Sequence, residues 1–73
     1  MEDTIKALIS EIKGLNAYEI DADDNFEIDL SMDEDEIFDL FDALEDVTGI
    51  ELLAKRKKYR TVRSLANYLD NCE

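Results

Sequence analysis

Seventy-three residues, with 20 acidic and 8 basic side chains, a formal charge of -12 and a 45% hydrophobic fraction, make one domain with a modest core and no room for a deep catalytic pocket. The sequence has no His and one Cys, which excludes imidazole catalysis, His-ligated metal, an intrachain disulfide and a Cys-cluster zinc site. So acidic a surface repels nucleic acid and anionic membranes, no apolar run approaches the roughly 20 residues of a membrane span, and Met1 to Lys6 lacks signal-peptide character, so a cytoplasmic protein is expected.

The first apolar period is Ile5, Leu8, Ile9 and Ile12. Its i, i+3, i+4, i+7 spacing predicts an amphipathic helix over Thr4 to Lys13. Asp3 or Thr4 is the expected cap, and Gly14 the expected stop. Asn16 to Asp29 is an acidic connection without Lys or Arg. Phe26, Ile28 and Leu30 are expected to tuck it onto the core, because a long loop in a small domain is packed or functional.

The clearest helix is expected over Asp33 to Thr48. Ile37, Leu40, Phe41, Leu44 and Val47 share one face, and Asp35, Asp39, Asp42 and Asp46 share the opposite one. Ser31-Met32-Asp33-Glu34 reads as a capping box with Ser31 as the cap. Asp33 with Glu36 is a second possible box. Gly49 is expected to close the helix in a left-handed conformation.

Ile50, Leu52 and Leu53 follow, with a short helical turn expected over Leu52 to Arg56. A last helix is expected from about Val62 to Leu69, with Thr61 as cap and Val62, Leu65, Ala66 and Leu69 buried. Cys72 is expected to be a free thiol beside the C-terminus. Together these elements predict an all-α bundle of three main helices plus a short third-helix turn, as a single domain over residues 1–73.

Charge is segregated along the chain. Asn16 to Asp46 carries fourteen acids and no base, while Lys55 to Arg63 carries six bases and no acid. The stripe Asp35, Asp39, Asp42, Asp46 sets like charges at helical spacing, which is mildly destabilising and points to a cationic partner surface. The basic run is expected to be internal counter-charge rather than a nucleic-acid patch. No two carboxylates stand out as acid and base, and the only glycines, Gly14 and Gly49, make no phosphate loop, so an enzyme is not expected.

Asp21, Asp23 and Asn25 occupy the first, third and fifth places of a calcium loop, with Ile28 at the apolar eighth place. Phe26 stands where that loop needs Gly, and Met32 where it needs a bidentate Glu. These three residues are therefore weak metal candidates. They support an alternative function, a small acidic protein that responds to divalent cations through the Asp21 to Asp29 loop.

The run Asp29-Leu30-Ser31-Met32-Asp33-Glu34-Asp35-Glu36-Ile37-Phe38-Asp39-Leu40 resembles the acyl carrier protein signature Asp-Leu-Gly-x-Asp-Ser-Leu-Asp-x-x-Glu-Leu. Ala43-Leu44-Glu45-Asp46 is similar to the family's Ala-Leu-Glu-Glu. Gly49-Ile50-Glu51-Leu52 is similar to the segment after its second helix, and Tyr59-Arg60-Thr61-Val62 with Leu65 and Tyr68-Leu69 to its last helix.

The resemblance implies a 4'-phosphopantetheine arm on a serine that starts the second helix and follows the motif aspartate, here Asp33. That serine position is Glu34, and a carboxylate is not the hydroxyl that accepts the arm. Ser31 is the alternative attachment site, disfavoured because the shift places Asp35 where an apolar residue belongs. The resemblance therefore implies a carrier-like module of fatty-acid or specialised acyl metabolism, unloaded where Glu34 is the attachment position and loaded only if Ser31 takes the arm. It would dock as a monomer to basic surfaces of acyl- or aminoacyl-transferring enzymes through Asp35, Phe38, Asp39, Asp42 and Asp46.

Overall fold

The computed structural model describes residues 1–71, so the expectation for Cys72 lies outside the described residues. Three helices carry the three apolar periods: α1 over Glu2–Lys13, α2 over Glu34–Thr48 and α3 over Val62–Asp70. Single 3-10 turns form at Ala17–Glu19 and Leu53–Lys55, the second where a short helical turn was expected. The described residues contain no strand, only an isolated antiparallel bridge between Asn25 and Thr61.

Helix α1 starts earlier than its apolar period requires. Met1 is its N-cap without a side-chain hydrogen bond, and Asp3 and Thr4 lie inside the helix rather than capping it. Glu2 and Asp3 in the first turn supply the negative charge that a helix N-terminus favours. Gly14 ends α1 at φ 69° and donates its N–H to the Ser10 carbonyl, a left-handed conformation that costs glycine little.

Helix α2 uses the second of the two possible boxes. The Asp33 carboxylate accepts from the Glu36 N–H at 2.8 Å, and Glu36 Oε1 accepts from the Asp33 N–H at 3.1 Å. Ser31 is not the cap. A cap must directly precede the first helical residue, and Ser31 stands three residues before Glu34. It is held outside the helix at φ 55°, beside a Met32 whose side chain is buried and whose N–H donates to the Phe26 carbonyl at 2.9 Å. Gly49 closes α2 at φ 73°, as the sequence predicts.

Two apolar expectations fail. Val47 is 61% exposed. At 100° per residue it lies about 70° from the mean direction of Ile37, Leu40, Phe41 and Leu44. Thr48, nearer that direction, turns its hydroxyl back to the Leu44 carbonyl at 2.7 Å. Ile28 is 79% exposed, whereas Phe26 and Leu30 are buried as expected. The Asn25 side-chain oxygen accepts from the N–H groups of Glu27 and Ile28 at 2.9 and 3.0 Å. The resulting turn leaves Ile28 on its outer side.

Helix α1 packs against both α2 and α3. Ile5 and Ile9 of α1, Leu40, Phe41 and Leu44 of α2, and Val62, Leu65 and Leu69 of α3 are buried together. Phe26 reaches this core from the connection and meets Phe41 edge-to-face, with ring centroids 6.2 Å apart. α3 is capped by Thr61, whose hydroxyl accepts from the Ser64 N–H at 3.2 Å.

The acidic connection is stitched to the basic segment rather than left loose. Phe26 N–H donates to the Arg60 carbonyl and Arg63 N–H to the Ala22 carbonyl, both at 2.8 Å. Among the described residues no helix is long and apolar enough to cross a membrane.

Candidate functional site

The candidate site is the first turn of α2 and its outward face. Glu34, the first helical residue, is exposed. The turn beneath it is fixed by the Asp33–Glu36 box and by Lys13 at the end of α1. Lys13 Nζ donates to Glu36 Oε1 at 3.1 Å and to the Ser31 carbonyl at 3.2 Å. One ammonium thus holds both the cap and the loop that leads into it. Ser31 is exposed, and its hydroxyl has no hydrogen-bond partner among the described residues.

Glu34 also borders a narrow cleft with Ile37, Arg56, Lys57 and Arg60. The Arg56 guanidinium is anchored by donating to the Leu53 carbonyl at 2.6 Å. It lies 5.8 Å from the centroid of the Phe38 ring, a cation–π geometry. Phe38, 43% exposed, is therefore an apolar surface residue with one face of its ring covered by a cation.

Beyond Phe38 runs the acidic face. Asp35, Asp39, Asp42 and Asp46 are all exposed, and none makes an ion pair among the described residues. Besides Glu36, the α2 acid that finds partners is Glu45. Its carboxylate accepts from the N–H groups of Leu52 and Leu53 at 2.6 and 2.9 Å. The Leu53 bond, then the Leu52 bond, holds its pKa below the ordinary value of 4.5. Glu45 thereby ties the segment after Gly49 back onto α2.

The basic segment supplies part of the expected counter-charge. Arg63 Nη1 pairs with Asp23 at 3.0 Å, and Arg60 Nη2 pairs with Glu27. Lys55 and Lys58 lie over the rings of Tyr68 and Tyr59, which stack on each other with centroids 4.9 Å apart.

The three weak metal candidates have protein partners for their oxygens. Asp21 accepts from the Asp23 N–H at 3.0 Å, Asp23 pairs with Arg63, and Asn25 accepts from Glu27 and Ile28. Among the described residues no group of three or more Asp, Glu, Cys or His side chains is arranged to hold a metal ion.

Sequence reasoning located Glu34, Asp33 and the acidic face, but missed Lys13, Glu45 and Arg56 as members of the same surface. Lys13 reads only as a favourable C-terminal charge on α1, and nothing in its spacing says which helix it reaches. Compared with known protein families and with curated protein sequences, the chain finds no match in either.

Proposed function

We propose that this chain is an acyl-carrier-protein-like module that docks, unloaded, to basic surfaces of acyl- or aminoacyl-handling enzymes. The observation that carries this reading is the unpaired acidic face of α2. Two arginines of the basic segment are spent on the connection, at Glu27 and Asp23, while Asp35, Asp39, Asp42 and Asp46 stay unpaired beside the partly exposed Phe38. Four like charges on one helix face are retained against their own repulsion, and a basic partner turns that repulsion into attraction.

The element order supports the same reading: a helix, a long packed connection, a second helix opening just after an aspartate, a short turn and a last helix. In this reading Glu34 stands where a 4'-phosphopantetheine serine would. No arm is attached, and the chain is a cytoplasmic monomer that regulates or competes rather than carries. It performs no reaction itself and takes neither nucleic acid nor membrane as a partner. The competing reading, a divalent-cation-responsive loop, is disfavoured because the oxygens of Asp21, Asp23 and Asn25 already serve backbone N–H groups and Arg63.

Competition for a carrier-dependent acyltransferase tests the proposal. The wild-type chain should slow acyl transfer from a loaded carrier, and Asp39→Lys/Asp46→Lys should lose that effect. No competition by the wild type, or equal competition by both, removes the reading.

A further inference from the structure

We infer that Arg56, Lys57 and Arg60 form a binding site for a small phosphate-bearing anion, with the Glu34 carboxylate as a built-in competitor at its rim. The inference is independent of the docking reading. All four residues border one cleft, floored by the buried Ile37. Counting Glu27, which pairs with Arg60, three cations meet two carboxylates there, so the cleft keeps one net positive charge on a chain whose overall charge is -12.

The two guanidiniums are positioned before any ligand arrives. Arg56 Nη1 donates to the Leu53 carbonyl at 2.6 Å, Arg60 Nη1 donates to the Arg56 carbonyl at 3.3 Å, and Arg60 Nη2 is held by Glu27. A guanidinium has five N–H donors, so each keeps several for a ligand, and less side-chain freedom is lost on binding. Lys57 is exposed and has no ion-pair partner among the described residues. Glu34 borders the cleft without pairing with any of the three cations at ion-pair distance.

The guanidiniums set the ligand chemistry, and the enclosed space sets how much of the ligand enters. The cleft holds about 10 Å³, the space of one water-sized sphere. It seats a single oxygen of an oxyanion and leaves the rest of the ligand in solvent. Tetrahedral phosphate oxygens match the guanidinium fork, and a second phosphate extends toward the exposed Lys57. The acidic remainder of the surface repels anions at long range, so binding is expected in the millimolar range rather than tighter.

Amide chemical shifts of the isotopically labelled chain are followed during titration with inorganic phosphate or pyrophosphate, at ionic strength held constant with sodium chloride. Saturable shifts at Glu34, Arg56, Lys57 and Arg60 are expected, with pyrophosphate the tighter probe. Lys57→Gln, which removes no internal bond, should weaken binding about threefold and Arg56→Gln about tenfold, as loss of charge-assisted contacts implies. Glu34→Gln should tighten binding about threefold or more by removing a like charge. The site is overturned if chloride alone gives the same shifts, if the shifts centre on Lys6 or Lys13, or if Lys57→Gln and Glu34→Gln both titrate like wild type.

Discussion

Lys13 Nζ lies 3.1 Å from Glu36 Oε1, which joins the last residue of α1 to the carboxylate that closes the capping box of α2. Both side chains are about three-quarters buried, with exposures of 21% and 25%, so water screens the pair less than a surface pair. The same ammonium holds the Ser31 carbonyl. The geometry of the α2 N-terminus thus depends on a residue 23 positions away.

Lys13→Ala should therefore lower stability by about 1 kcal/mol, and Glu36→Ala by about 1–2 kcal/mol, since the latter also removes half of the capping box. For a chain of this size, 1 kcal/mol moves Tm by about 4–8 °C. Thermal melts read both. A Lys13→Ala loss no larger than that of Lys6→Ala would show that the clamp contributes nothing.

Glu45 makes stability depend on pH with a defined sign. Its folded pKa is lowered from 4.5 by the N–H bonds from Leu53 and Leu52. Its charged form therefore stabilises the fold at pH values above the ordinary carboxylate pKa. That contribution is lost as pH falls through the lowered folded value. Glu45→Gln should melt below wild type at pH 7, and the difference should shrink progressively below about pH 4.5. A difference that stays constant down to pH 3 would show that the carboxylate's charge is irrelevant to the latch.

Added salt should raise Tm. Fourteen acids crowd residues 16–46, and few of them are paired. Screening shortens their repulsion to about 10 Å at 0.1 M. Magnesium and calcium should act alike, at millimolar concentration. A tight, saturating calcium response confined to Asp21, Asp23 and Asn25 would restore the divalent-responsive reading.

The helices were legible because each apolar period is near 3.6, Gly14 and Gly49 mark the ends of α1 and α2 with left-handed φ, and Thr61 marks the start of α3 as its cap. The start of α2 was legible only as a pair of alternatives. Ser31 and Asp33 both satisfy a box pattern, and the choice between them is made by Met32, whose burial fixes the register of the loop. The turn that exposes Ile28 was hidden because it is built by the Asn25 side chain from within the loop. In the candidate site, helical spacing alone placed Asp35, Asp39, Asp42 and Asp46 together. Arg56 over Phe38 and Glu45 under Leu52 and Leu53 were not legible, because the turn after Gly49 sets both.

Phe38 and the acidic face should separate kinetically in binding to a carrier-dependent acyltransferase. Asp39→Lys/Asp46→Lys should slow association and flatten its salt dependence. Phe38→Ala should raise the dissociation rate about tenfold, the loss of a central apolar anchor being worth more than about 1 kcal/mol. Surface-immobilised binding resolves the two rates. If neither variant changes either rate, the interface lies away from α2.

The central claim is that Glu34 occupies the attachment position of a carrier-protein site. Intact mass after incubation with a broad-specificity phosphopantetheinyl transferase and coenzyme A tests it most directly. The wild-type chain should gain no mass, because Glu34 offers a carboxylate and Ser31 stands outside α2, three residues early. Glu34→Ser combined with Asp35→Leu should gain the mass of one phosphopantetheine. A wild-type chain that gains this mass and loses it in Ser31→Ala, or a double variant that folds but gains nothing, would contradict the account.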